Sequence, residues 1–212
     1  METVDYLISH ADLFAEATLE QAGLVLVTLA IAIVVAAAIT LACLRSRRAG
    51  ALAVELLGAF YSIPSIALFA LLIPLTGLGS TSAVIVMVAY CQFILVRNAL
   101  EGLQGVSPAI LEAARGMGMS EMQTMLRVRL PLAAPAIVAG IRMAAISCTG
   151  IATVAATINA GGLGAVLFSG LRTLNVPKIV GGTLCCALLA LGIDALLRLV
   201  ERRLTAHTRA RS

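Results

Sequence analysis

Charge, and the residues that usually carry it, are what this chain has least of. Asp, Glu, Lys and Arg make up 12% of 212 residues, lysine occurs once, at Lys178, and histidine twice, at His10 and His207. The lone lysine follows no G-x-x-x-x-G-K-[ST] sequence, so there is no backbone cradle for a nucleoside triphosphate, and any uphill work draws its energy from another polypeptide. The histidines stand at opposite ends of the chain, too far apart in sequence for the local spacing of a histidine metal site, and no metal is expected. No acid, base and nucleophile cluster together, which argues against an enzyme. Gly116-x-Gly118 follows no strand, so it reads as a helix end and not as a dinucleotide fingerprint. Cys43, Cys91, Cys148, Cys185 and Cys186 all fall in apolar runs, where free cysteine acts as a small hydrophobe; a redox pair at Cys185 and Cys186 is the alternative.

What fills the space is apolar. Hydrophobic residues reach 60% and the mean hydropathy is +1.03, against about half apolar and a quarter charged in soluble domains. The chain therefore reads as an all-α integral membrane protein, a single unit over 1–212 with no room for a separate soluble domain. Its net charge of +4 does not point to nucleic acid, because of where the cations sit. Arg45, Arg47 and Arg48, then Arg97, Arg115, Arg127 and Arg129, then Arg198, Arg202, Arg203, Arg209 and Arg211 lie in or beside three segments, the asymmetry of cytoplasmic loops.

In chain order, residues 1–22 carry five acids and no Lys or Arg, so they lack the basic start of a signal peptide. Val4, Leu7, Ile8, Ala11, Phe14 and Ala15 recur at helical spacing opposite Asp5, Asp12, Glu16 and Glu20, which predicts a short amphipathic helix outside the membrane. Five runs are long and apolar enough to cross: 23–44, 52–74, 83–100, 132–158 and 179–197. Pro74, Gly77, Gly79 and Ser80 are expected to form an outer turn, and the glycines of 159–178 a second outer segment. Asp194 and Arg198 form an i,i+4 pair. The N-terminus is expected outside and the C-terminus in the cytoplasm.

The longest polar interruption, 101–131, holds the most information. Ser107-Pro108 starts a helix, Gly116 or Gly118 ends it, and Ser120 with Gln123 forms a capping box that starts another. Within it, Glu112, Ala113, Ala114, Gly118, Val128, Leu130 and Pro131 match the EAA-x3-G-x9-I-x-LP signature, with Val for Ile, so the chain resembles the permease subunits of ABC importers. The resemblance implies a type I importer permease fold like that of methionine importers, with 101–131 as the cytoplasmic helix that couples to an ATPase. Residues 62–79, Arg97-Asn98, the EAARGMGM run, Ala139 to Arg142 and Asn159 to Gly164 resemble more narrowly the permeases of osmoprotectant importers, which carry glycine betaine, choline or carnitine. Relatives often have an aromatic residue within 146–149 and glycine where this chain has Asn159.

The partners that the resemblance implies are a pair of ABC ATPase subunits holding ATP and Mg, a second permease subunit, identical or paralogous, an extracytoplasmic solute-binding protein, and the lipid of a bacterial inner membrane. Methionine, a sulfonate or another small solute is the alternative cargo, and a secondary transporter, a channel or a membrane scaffold the alternative class. Polar or aromatic residues within the spans are the candidates for a translocation path: Tyr61, Ser62, Ser65, Tyr90, Gln92, Asn98, Arg142 and Thr153, with Ser147, Thr149 and Thr157 beside them. Ser and Thr also bond back to helix carbonyls, so packing competes as the explanation. Arg142 lies within a span, where an ionisable group marks function or an ion pair; Glu55 is one candidate partner.

Charge asymmetry places Ser120 inside and Thr81 outside. In a background without native cysteines, Ser120→Cys and Thr81→Cys should react with an impermeant thiol reagent from opposite sides of the membrane. Labelling from the same side would overturn the five-span order.

Overall fold

The structure, a computed structural model, describes residues 2–209, with side chains described for 5–199 and 201. Readings that rest on the side chains of Arg202, Arg203, His207, Arg209 and Arg211 lie outside the described residues. In hydrocarbon, backbone polar groups must be satisfied within the chain, which leaves helices or closed barrels. Among the described residues all regular structure is helical: α1 Glu2–Ser9, α2 Ala11–Cys43, α3 Arg47–Tyr61, α4 Ser65–Thr76, α5 Ser80–Gln104, α6 Pro108–Gly116, α7 Glu121–Thr124, a π-helical turn Met125–Arg129, α8 Leu130–Ala155, a 3-10 turn Ala156–Ile158, α9 Gly162–Arg172 and α10 Val176–Arg209.

Among the described residues four helices are long and apolar enough to cross a bilayer, or five spans if α3 and α4 together form one. Three expectations are corrected here. The acidic stretch within 1–22 is not a separate amphipathic helix. After α1 it runs from Ala11 without a break into the first apolar run, because one buried stripe, Phe14, Ala17, Gln21, Val25, Thr28, Ala32 and Ala36, crosses the polar boundary at helical spacing. At about 1.5 Å per residue, its 33 residues outreach a hydrocarbon core of about 30 Å, so the acidic turns project beyond it. The run 52–74 is not one helix either: α3 and α4 meet at an 88° bend. Pro64 disfavours the helical conformation at Ile63, and the chain turns there. Pro74 lies inside α4, and Gly77 and Gly79, at φ +79° and +115°, make the turn alone.

The core is built on α5 and α8, with α2 laid across both. Small residues let the backbones approach: Ala144, Ala145, Ala152 and Cys148 of α8 are buried against Met87, Cys91 and Val96 of α5 and Val25 and Ala32 of α2. A side chain at Gly140 would put its Cβ 2.6 Å from that of Asn98, and one at Gly102 would come within 2.9 Å of Ala136. A second cluster joins Phe14 and Ala17 to Leu163 and Val166 of α9, with Gly181 of α10 pressed on Phe14.

The glycine-rich segment 159–178, expected to supply turns, therefore holds a helix, α9. Its entry uses Asn159 in the left-handed region at φ 62°, which asparagine tolerates better than other side chains, and the amides of Asn159 and Ala160 bond the carbonyls of Ala156 and Ala155 in a Schellman closure. A glycine fits the same position. Gly164 is there for contact: a Cβ would strike the Thr153 carbonyl and come 2.8 Å from the Ala156 Cβ. Gly164→Ala should thus cost about 1–3 kcal/mol through overpacking, read as a lower thermal midpoint of the purified protein in detergent. Gly150→Ala, where nothing lies within 4 Å, should leave the midpoint unchanged or raise it, since Ala suits a helix interior better than Gly. Equal behaviour of the two variants would refute the packing role of Gly164.

Candidate functional site

The hairpin 107–131 is built by local chemistry. Pro108 opens α6 at its first position, where the missing N–H costs nothing; Ser107 holds the cap position, but its hydroxyl makes no capping bond. The end of α6 is a Schellman motif on Gly118: Met119 N–H bonds the Ala114 carbonyl at 3.1 Å and Gly118 N–H the Arg115 carbonyl at 2.9 Å, with Gly118 at φ +78°, the left-handed conformation that this motif needs. Ser120 and Gln123 then close a reciprocal capping box over α7. Arg115 reaches across the corner to Glu121 at 3.2 Å, both side chains largely exposed, so the pair adds little energy. Glu112 and Ala113 face out while Ala114 is buried. Ile110, Met117 and Met122 are 44%, 75% and 67% exposed.

The hairpin returns to α8 through the π turn Met125–Arg129, in which Leu130 N–H bonds the Met125 carbonyl five residues back. Pro131 explains the wide turn: it lacks a donor, and its ring presses on the carbonyl of an ordinary helical turn before it. Single-turn π segments of this kind often sit at functional positions.

At the bend between α3 and α4 the break frees the Ile63 carbonyl, and the Tyr90 hydroxyl donates to it. The Ser62 hydroxyl donates to the Gly58 carbonyl at 3.0 Å, and the hydroxyls of Tyr61 and Ser147 lie 3.3 Å apart. Four rings gather there: Tyr90 lies 6.0 Å from Phe60 and 5.5 Å from Tyr61, and Tyr61 lies 5.2 Å from Phe93. Arg97 sits 5.9 Å above Phe93 and pairs with Glu101 at 2.9 Å.

The remaining candidates face other interfaces. Gln92 donates to the Val88 carbonyl at 2.9 Å and to Ala32 of α2 at 3.3 Å. Asn98 donates to the Ile94 carbonyl at 2.8 Å and packs on Gly140. Thr153 bonds the Thr149 carbonyl at 3.1 Å and receives Gln21 at 3.2 Å. Arg142 does not meet Glu55. It holds Asp194 at 2.9 Å and Glu201 at 2.8 Å, both on α10, while Arg198 takes the other Asp194 oxygen at 2.7 Å. Partners on α10 win because α8 packs along that helix, whereas Glu55 lies exposed on α3. Tyr61, Ser62 and Tyr90 thus come together at the bend with Ser65 at the start of α4, and Gln92, Asn98, Thr153 and Arg142 do not join them.

Two further residues, not singled out as site candidates, join α2 to α8 and α9. The Glu20 carboxylate accepts the Gly162 N–H at 2.8 Å, capping α9 from a helix 142 positions away in sequence. Gln21 is 1% exposed and reaches Thr149 and Thr153; its place on the stripe of Phe14, Ala17, Val25 and Thr28 was the signal that could have found it.

The arrangement has close parallels among known proteins. The chain is 33% identical over 202 residues to the choline transport system permease protein OpuBB of Bacillus subtilis, covering 95% of this chain and 93% of that one. It is 35% identical over 213 residues to the osmoprotectant import permease protein OsmW of Salmonella typhimurium, covering 97% and 98%. A solved structure of the MetNI methionine ABC transporter in an inward-facing conformation superposes with a TM-score of 0.84 at 21% identity, covering 93% of this chain and 98% of that one, which shows a shared fold. The family described as binding-protein-dependent transport system inner membrane component matches residues 32–206, and the chain belongs to that family.

Proposed function

We propose that this chain is the membrane subunit of an ATP-driven importer for quaternary ammonium osmoprotectants, the class containing glycine betaine, choline and carnitine. The relatives named for choline and osmoprotectant import, each covering nearly all of this chain, carry that reading. Two copies of this permease, or one with a paralogue, stand over a pair of ATPase subunits that bind ATP and Mg. An extracytoplasmic binding protein delivers the solute. Five spans run with the N-terminus outside, α3 and α4 counting as one broken span, in a bacterial inner membrane.

The hairpin is the coupling element in this reading. Glu112 and Ala113 face outward, and exposed Ile110, Met117 and Met122 offer apolar surface that a partner would cover. Ala114, Gly118, Leu130 and Pro131 shape the element instead of touching the partner: Ala114 is buried, Gly118 sets the corner, and Leu130 with Pro131 sets the return through the π turn. Tyr61, Ser62 and Ser65 at the bend, with Tyr90 behind them, are the residues we place on the translocation path. Gln92, Asn98, Thr153 and Arg142 hold helices together.

Purification of the intact complex tests the assignment: an ATPase and a binding protein should co-purify, and a quaternary amine should raise the thermal midpoint of the binding protein. Stabilisation by methionine or a sulfonate alone would move the cargo, and absence of an ATPase would overturn the class.

The corner gives a second test. A β-branched residue at Gly118 must adopt the left-handed region at about 1–2 kcal/mol or more, and nothing within 4 Å crowds the position, so the fold should survive. Gly118→Val is expected to insert and accumulate normally yet lose solute uptake and substrate-stimulated ATP hydrolysis, with Gly118→Ala milder. Uptake at the parental rate in Gly118→Val would refute the corner's role.

A further inference from the structure

We propose that the groove between α2, α5 and the start of α8 is a binding site for one anionic phospholipid, its acyl chain in the groove and its headgroup on arginines at the cytoplasmic end. The placement rests on the membrane orientation argued above. The groove has a volume of about 340 Å3 and is lined by Ile33, Ala37, Leu103, Leu126, Ile137 and the otherwise isolated polar residue Thr40. That is within the size range of ligand sites, about 300–1,000 Å3, and its walls are almost wholly aliphatic.

Two independent observations choose the occupant. Thr40 is 3% exposed and its hydroxyl has no hydrogen-bond partner, although a helical threonine ordinarily bonds back to a carbonyl of the preceding turn. A buried hydroxyl left without a partner is unfavourable, and the ester oxygens of a glycerolipid are acceptors that could take it. The second observation is charge. Arg45 stands four residues past the lining Leu41, and Arg127 and Arg129 lie between the lining Leu126 and Leu130. Among the described residues none of these three arginines has an ion-pair partner, while Glu101 of α5 and Glu121 of α7 are already paired with Arg97 and Arg115. Unpaired basic groups beside an apolar groove at a membrane surface suit a phosphodiester, and each arginine near an anionic headgroup is worth about a fivefold preference.

The site touches the coupling stretch directly. Its wall includes Met125 and Leu126 of the π turn, so a seated acyl chain packs against the segment through which the hairpin joins α8.

The test is lipid retention by the purified complex, delipidated in detergent, offered equal phosphatidylglycerol and phosphatidylcholine, and read by native mass spectrometry. The parental protein should retain phosphatidylglycerol preferentially. Ala37→Phe should fill the groove and lose both lipids; Ala99→Leu, in the α5 wall, serves the same purpose if that variant does not fold. Arg45→Gln with Arg127→Gln should still retain a lipid but lose about twentyfold or more of the preference for phosphatidylglycerol. Equal retention of both lipids by the parental protein, or undiminished retention in a folded groove-filling variant, would overturn the proposal. No transport step enters the measurement, so a failure here with solute uptake intact counts against the lipid site alone, and a failure of the importer assignment leaves the retention result readable.

Discussion

Polar groups within the membrane-crossing helices must find partners in the protein, because the hydrocarbon offers none, and much of this structure follows from how those needs are met. The bend between α3 and α4 releases the Ile63 carbonyl, and Tyr90 on α5 is placed to bond it. Left alone, such a group costs about 1–3 kcal/mol, enough to decide where a helix can break. Arg142 is a larger need of the same kind. Its three contacts to two acids on α10, with Arg198 balancing the shared Asp194, tie the last long helix to the core at one level. A cluster of this sort does less for stability than its distances suggest, since the ions must first lose water, but removal of one member leaves the others uncompensated. It fixes register.

The hairpin obeys the opposite constraint. It is exposed, its backbone could be hydrated, and it still spends its sequence on a prolyl entry, a Schellman closure and a capping box, all within residues 107–123. Those devices do not bury much area. They define the angle between α6 and α7 at a place where packing would leave it loose.

Local chemistry was also what the sequence made legible. Gly118, Ser120 and Gln123 announce the corner because each acts through its own backbone within three residues, and the structure places it there. Long apolar runs announced the helices. The break at Ile63 was hidden, although Ser62 and Ser65 were named, because a proline inside a span is ordinarily tolerated when neighbours re-satisfy the freed groups, and the neighbour, Tyr90, is 27 positions away. The partner of Arg142 was hidden for the same reason: at 52 and 59 positions, nothing in the sequence chooses Asp194 and Glu201 over Glu55. The continuity of α2 was obscured by its acids, which mark where water begins and not where the helix does; Phe14, Ala17 and Gln21 kept the buried stripe running through them. Of the polar span residues, only those beside the bend share a location, since the hydroxyls and amides elsewhere serve whichever helix they face.

One helix meets all of these places. α8 leaves the hairpin at Leu130 and Pro131, packs Gly140 on Asn98, holds α10 through Arg142, meets Tyr61 at the bend through Ser147, and reaches Gln21 through Thr153. Its contacts lie on three sides and are of different kinds: close backbone approach, an ion cluster, and single hydrogen bonds. The first two resist sliding, because a Cβ-scale gap or a half-buried charge tolerates little displacement. The hydroxyl pair of Tyr61 and Ser147, at 3.3 Å and part-buried, resists least. A push on the hairpin that moved α8 as a body would therefore carry α5 and α10 with it and be taken up at the bend, where the helix is already broken and where Tyr61, Ser62 and Ser65 stand.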